Sequence, residues 1–192
     1  MRPKTLSDFI VSQVTSEAVK TVVVMRNPKD MLVSFYYFYK MNKVLGWFGK
    51  SWDDFFQLFR HKKLVYGDWL DHVESYSKSC ANKNNVLFVH YEDAKANQEA
   101  VIKRMADFLQ IPLDDEVIKK ISAHVEFENM KSNPMTNFKE AAASGFFKEH
   151  NFIRQGLVGG WKNYFTVAQN EYMDEVYMVD VKQLGITMKD SF

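Results

Sequence analysis

The 192-residue chain carries 25 Lys and Arg against 24 Asp and Glu, a formal charge of +1, and is 46% hydrophobic and 15% aromatic. That apolar content supports a packed core and excludes a disordered chain, and the near-neutral balance argues against a strongly basic nucleic-acid binder or an acidic tail protein. The single cysteine, Cys80, excludes an internal disulfide framework and a cysteine-rich zinc site, and fits a reducing compartment.

In the first twenty residues the longest apolar run is Phe9-Ile10-Val11, well short of a secretory core. Nothing further on approaches the ~18 consecutive apolar residues of a membrane helix. The expectation is a soluble, cytoplasmic chain forming one domain over residues 1–192.

Thr21–Met25 (TVVVM) is a β-branched apolar run, and residues 86–89 (VLFV) are another. Runs that are apolar at every position suit parallel strands covered on both faces. Helical patterns follow over residues 30–42, 52–61, 69–79, 98–109, 114–124 and 168–184. In 98–109 the apolar set is Val101, Ile102, Met105, Phe108 and Leu109. Strands alternating with long helices predict an α/β fold with a mainly parallel sheet. Residues 133–151 show weak periodicity and read as a loop, with Asn133-Pro134, an alanine triplet and Ser144-Gly145. No internal repeat or low-complexity segment is present.

Three constellations carry chemistry. In MRNPKDMLVS, the first strand runs into Arg26, Asn27 suits a helix N-cap and Pro28 the first helical position. A helix N-terminus directly after a parallel strand presents free N–H groups to an anion. Arg26 adds a planar phosphate clamp and Ser34 a hydroxyl. An ordinary strand–helix turn with surface charges reads from the same residues. In FIRQGLVGGWKNYFT, Arg154 and Gly156 suit an anion nest, and equally a flexible surface loop. In HYED, Tyr91 stands at the carboxyl end of a parallel strand, where ligands bind in open α/β sheets. A buried tyrosine followed by a capping carboxylate is the other reading.

The aromatic series Phe35, Tyr36, Phe38 and Tyr39 reads as core packing or as a hydrophobic acceptor pocket. None of His61, His72, His90, His124 and His150 stands in a metal-ligand pattern, so metal chemistry is not expected. His124 reads as a helix C-terminal histidine rather than a base. Cys80 has no activating neighbour in sequence.

Taken in order, VVVMRNPKDMLVSFYYFYK, VHYEDAKAN, FENMKSNPMTN and FIRQGLVGGWKNYFTVAQNE resemble the cytosolic-type sulfotransferases, from about Thr21 to the C-terminus. The resemblance implies a P-loop-like three-layer α/β fold around a central, mainly parallel sheet. It implies transfer of a sulfuryl group from 3′-phosphoadenosine 5′-phosphosulfate (PAPS) to a hydroxyl or amine of a small hydrophobic acceptor, without a metal. By that likeness Arg26 and Ser34 hold the 3′-phosphate, Tyr91 contacts the adenine, and Phe127 packs on it with Met130 in the same stretch. Arg154 and Gly156 match the Arg-Lys-Gly phosphate motif, with Gln155 between them. Phe38 resembles an acceptor-pocket aromatic. Lys162, Thr166, Val167 and Glu171 match the family's KxxxTVxxxE dimer motif, which implies a weak homodimer.

Departures accompany the likeness. Gln155 replaces the usual lysine and removes one phosphate-binding charge. Gly160 stands where an aspartate is common before the tryptophan, and Val125 where a threonine is common. No glycine precedes Gly46, so no PKSGTTW-type loop, which would cradle the 5′-phosphosulfate, precedes Arg26. Lys4-Thr5-Leu6-Ser7 is the nearest likeness to the family's KTHLP segment and lacks its catalytic histidine; the first histidine is His61. The chain therefore reads as the C-terminal portion of a sulfotransferase, truncated at its N-terminus, with no catalytic residue assigned and with reduced stability from an exposed strand edge. The alternative is a catalytically silent homologue that binds nucleotide weakly or serves as a dimerisation partner. A P-loop kinase would need a GxxxxGK[ST] loop, which the sequence does not contain.

Overall fold

Valine and threonine crowd the two segments that pair, because their branched side chains fit a pleated surface better than a helix. In the computed structural model, which describes residues 19–45, 48–80, 83–147, 152–184 and 188, β1 (Thr21–Met25) and β2 (Val86–His90) run parallel, Thr21 opposite Val86 and Met25 opposite His90. Among the described residues the two strands pair only with each other. Lys4-Thr5-Leu6-Ser7, Gly46 and His150 lie outside the described residues.

Parallel neighbours need a long crossover. Here it is α1 (Pro28–Met41), α2 (Trp52–Arg60) and α3 (Trp69–Cys80). The Asn27 side chain accepts the Lys29 N–H at 3.0 Å and Pro28 takes the first helical position, so α1 starts two residues before its apolar periodicity becomes visible. Ser51 and Asp54 close a capping box at the start of α2. After β2 come α4 (Tyr91–Ala96), α5 (Gln98–Leu109), α6 (Asp115–His124) and α7 (Phe127–Ser132). The six-residue α4 and α7 are too short for a 3.6-residue period to register in sequence. Asp114 lies outside α6 as its cap, accepting the Val117 N–H at 2.8 Å.

The segment read as loop over 133–151 contains a further helix, α8 (Lys139–Ala143), and Phe147 bridges to Asn42. The alanine triplet supplies helix propensity, and Ser144 and Gly145 (φ +79°) stop it after one turn. The predicted C-terminal helix is one helical stretch with a wide turn in it: α9 (Val167–Tyr172), a π-helical turn (Met173–Tyr177) and α10 (Met178–Gln183). Met173, Tyr177 and Val181 along it are all buried.

The main core lies between α1, α2 and this C-terminal stretch. Leu32, Tyr36 and Tyr39 meet Phe55, Phe56 and Phe59, and both sets meet Met173, Tyr177 and Val181. The α1 aromatics thus divide: Tyr36 and Tyr39 belong to the core, while Phe35 and Phe38 are half-buried at its margin. The strands are less covered than their all-apolar sequence predicts. Val24 is 64% exposed, because no described element packs over that position of β1.

Candidate functional site

The parallel register brings the carboxyl ends of both strands to one place, so Arg26 and Tyr91 emerge side by side. The Arg26 guanidinium stands 4.3 Å from the centre of the Tyr91 ring and donates to the Leu157 carbonyl at 2.8 Å. Its Nε is buried without a hydrogen-bond partner. Burial, first, raises the Tyr91 hydroxyl above its ordinary pKa, and the nearby guanidinium opposes that shift. Glu92, 1% exposed, accepts the Asn27 N–H at 2.8 Å through Oε1 and so ties the end of β2 to the start of α1. In HYED, then, the Tyr91 ring stands against the Arg26 guanidinium at the carboxyl ends of the strands, and the Glu92 carboxylate binds the backbone at the start of α1.

The glycine-rich segment is tied to the first turn of α1, while Gln155 and Leu157 within it are exposed. The Asp30 carboxylate, 3% exposed in the first turn of α1, accepts the Gly159 N–H at 2.7 Å and the Trp161 N–H at 2.9 Å. Buried Lys29 donates to Asn170 at 2.7 Å and Asp174 at 2.6 Å, with its ammonium 4.3 Å from the Trp161 ring centre. Arg26, Lys29 and Asp30 thus hang residues 157–161 on the end of β1 and the first turn of α1. Gly156 adopts φ +62°, and a Cβ there would stand 2.5 Å from Phe127 Cδ2. No other residue type fits that approach without moving the ring.

Arg154 lies with its guanidinium 4.4 Å from the Tyr37 ring centre. It donates to Gln155 Oε1 at 2.6 Å and to the Tyr164 hydroxyl at 3.3 Å. Burial, and then the 2.9 Å hydrogen bond to Tyr164, push the Tyr37 hydroxyl up to about 12.

These elements enclose a cavity of about 550 Å³. Arg26, Ser34, Tyr91, Phe127, Met130, Arg154, Gln155 and Gly156 all line it, and Val125 does too. The structure therefore brings together all eight residues singled out from four separate stretches of sequence. Lys95 also lines it, and Lys95 and Lys131 place their ammonium groups 6.0 and 5.8 Å from the Phe127 ring centre. Lys95 was legible in principle, since it follows Tyr91 by four residues and shares its helix face. The Leu157 carbonyl under Arg26 was not, because a backbone contact leaves no side-chain signature.

A second cavity, of about 470 Å³, shares Arg26 and Ser34 with the first and is otherwise walled mainly by apolar groups, among them Phe35, Phe38, Phe59, Leu64, Tyr66 and Trp69. His72 also faces it, and burial lowers its pKa, which favours the neutral imidazole. Phe38 borders a third cavity as well, of about 450 Å³, together with Tyr37, Phe152 and Arg154.

Lys162, Thr166, Val167 and Glu171 line none of these cavities. Thr166 caps α9 with Gln169 in a capping box, and Val167 is 76% exposed beside exposed Lys162 and Glu171. His124 closes α6 as its last residue. Cys80 is buried, which raises its thiol pKa and keeps it unreactive. Among the described residues no cluster of three or more His, Cys, Asp or Glu is placed to hold a metal ion, and no helix is long and apolar enough to cross a membrane.

A family model described as the sulfotransferase domain matches residues 4–188. Sulfotransferase 1C2 of Rattus norvegicus is 41% identical over 159 residues, which cover 82% of this chain and 53% of that protein. The chain spans about half the length of the curated relatives it matches. Among solved structures, mouse sulfotransferase SULT7A1 complexed with PAP superimposes with a TM-score of 0.72 at 35% identity, covering 85% of this chain and 58% of that one. Retinol dehydratase in complex with androsterone and inactive cofactor PAP superimposes with a TM-score of 0.80 at 26% identity, covering 90% and 49%. With its parallel α/β sheet and the family model running over nearly all of its length, the chain belongs to the cytosolic sulfotransferase family.

Proposed function

We propose that the larger cavity beside Arg26 is the nucleotide part of a sulfotransferase donor site and that the apolar cavity next to it takes the acceptor. The observation that carries this reading is the convergence of the eight residues on one cavity. The residues fit the donor PAPS. Arg26 and Ser34 would hold its 3′-phosphate, and Tyr91, Phe127 and Met130 its adenine. Arg154, Gln155 and the backbone at Gly156 would hold phosphate oxygens. The Phe127 ring occupies the space that a Cβ at residue 156 would take, so glycine there lets the ring close against the backbone of the phosphate motif. The donor would supply the activated sulfuryl group, and no side chain of this chain is assigned as the catalytic base.

The acceptor reading rests on Phe38 and the apolar wall around it. It points to a phenol, alcohol or steroid-like hydroxyl, or an amine, on a small hydrophobic molecule. The protein acts in the cytoplasm, as one domain over residues 1–192, and self-associates weakly through the exposed patch of Lys162, Thr166, Val167 and Glu171. A second reading, of a nucleotide-binding protein without transfer activity, is favoured by two features. Gln155 gives the phosphate motif no second cation, and it engages Arg154 at 2.6 Å.

Calorimetric titration with 3′,5′-adenosine diphosphate tests the donor site. Saturable binding in the micromolar range, about −8 kcal/mol, is expected, with a loss of about 3 kcal/mol or more in Arg26→Ala, as befits removal of charge-assisted hydrogen bonds. A folded chain that does not bind would sink the reading. Transfer of radiolabelled sulfate from PAPS to 2-naphthol then separates the enzyme from the silent binder.

A further inference from the structure

One wall of the apolar cavity is a loop whose backbone is under strain. Between α2 and α3, Lys62 (φ +54°), Tyr66 (φ +76°) and Gly67 (φ +86°) all take left-handed conformations. Two of the three carry a Cβ, and such conformations persist only where surrounding contacts hold them. Within the loop the Lys62 N–H donates to the Phe59 carbonyl at 2.9 Å and the Gly67 N–H to the Leu64 carbonyl at 3.3 Å, and two buried tyrosine hydroxyls from distant parts of the chain attach the residues between and beside them. Tyr39, on α1, accepts the Val65 N–H through its hydroxyl. Tyr177, on the π-helical turn, donates its hydroxyl hydrogen to Asp68 and accepts the Leu70 N–H at 2.9 Å. Asp68, itself buried, also accepts the Leu70 N–H at 3.1 Å and pairs with Lys62 at 3.0 Å. Burial and the Asp68 carboxylate drive the Tyr177 hydroxyl far above its ordinary pKa, so it remains a donor throughout the working range.

Along this loop Leu64, Tyr66, Gly67, Asp68 and Trp69 face the cavity. Tyr66 is exposed, and its ring lies 6.4 Å from that of Phe35 across the cavity wall. We propose that Tyr39 and Tyr177 are positioning residues that fix the Leu64–Trp69 wall and thereby set which aromatic hydroxyl compounds the apolar cavity accepts. This rests on the reading of that cavity as the acceptor site. The hydroxyls act through the backbone they hold, since neither tyrosine lines the cavity itself. A phenyl ring in either place keeps the core contacts and removes only the attachment. The wall is then free to relax its left-handed residues, and the cavity changes shape without any change at the nucleotide site.

The test uses the full chain as wild type, Tyr39→Phe and Tyr177→Phe, with Asp68→Asn as a second way to loosen the Tyr177 attachment. Each is titrated with 2-naphthol by fluorescence and with 3′,5′-adenosine diphosphate by calorimetry, and amide exchange is followed at Val65 and Leu70. The expected result is a fall of about fivefold or more in 2-naphthol affinity in each phenylalanine variant, faster exchange at Val65 in Tyr39→Phe, a smaller rise at Leu70 in Tyr177→Phe because Asp68 still accepts that N–H, and nucleotide affinity unchanged within about twofold. Unchanged 2-naphthol affinity despite faster exchange would overturn the proposal, as would an equal loss of both ligands, which marks a general loss of folding. A wild-type chain that binds nucleotide but not 2-naphthol would overturn the acceptor reading instead, and the proposal with it.

Discussion

The two neighbouring cavities are held in opposite ways. The cavity lined by Arg26, Tyr91 and Gly156, proposed above to take the nucleotide, is fixed by charged and polar groups that bind backbone: Arg26 on the Leu157 carbonyl, Asp30 on two amides, Glu92 on the Asn27 amide. The apolar cavity is fixed by packing of Phe35, Phe38 and Phe59 and by a strained loop attached at two hydroxyls. The first design fixes backbone through directed hydrogen bonds and tolerates little change. The second sets volume and shape, which exchange readily among apolar residues. A site of the first kind suits one invariant ligand, and a site of the second kind suits a variable one.

That contrast can be broken most forcefully at Gly156. A Cβ there meets the Phe127 ring and a φ of +62°, so Gly156→Ala is expected to weaken 3′,5′-adenosine diphosphate binding by about 2–3 kcal/mol, some 30–150-fold, while 2-naphthol binding stays intact. Calorimetry and fluorescence on the same preparation check this, and a parallel loss of both ligands would contradict the division. Next in size is Asp30→Asn. One oxygen of the amide can still accept, but its NH2 faces the other backbone N–H, at a cost of about 1–3 kcal/mol. The melting temperature should fall by about 2–4 °C per kcal/mol, and nucleotide affinity should fall with it.

A gain is expected at Gln155→Lys, which restores a second cation beside Arg154. Nucleotide affinity should rise a few-fold, about 0.5–1 kcal/mol, and the gain should shrink as salt is added. If the gain survives at high salt, charge is not its cause. The smallest effect belongs to the apolar cavity and to pH. His72 has a folded pKa below its ordinary 6.5 because it is buried. Its neutral form is therefore favoured in the folded state, and stability is fully present above pH 6.5. Stability falls as the pH drops below that value, where the unfolded chain takes up the proton first. Chemical denaturation at pH 7.5 and pH 5.5 should show a smaller difference in His72→Gln than in wild type.

The division also explains what could be read from the sequence. Asn27 and Pro28 declare themselves because each has a favoured use at a helix start, and the structure places them there; Arg26 and Tyr91 read two ways from the residues alone, and only the family likeness singled out their roles. The two strands, and the helices with a full apolar period, were legible on the same ground. Asp30 was not singled out, although it holds the glycine-rich segment, because an acidic residue in a first helical turn already has an ordinary explanation in the helix dipole. The attachments of Tyr39 and Tyr177 were hidden for a stronger reason. Their partners lie 26 and 107 residues away and are backbone amides, which every sequence offers everywhere. The alanine triplet that makes α8 was masked by the proline and glycine around it.

The Lys29–Trp161 contact gives the molecule an optical probe of its own. An ammonium 4.3 Å from the indole, on the same loop that Asp30 holds, places Trp161 in a field that changes whenever residues 157–161 shift. The chain has four tryptophans. The difference in emission between wild type and Trp161→Phe would therefore isolate the light from this one ring and report the loop's response to nucleotide in real time, without a label.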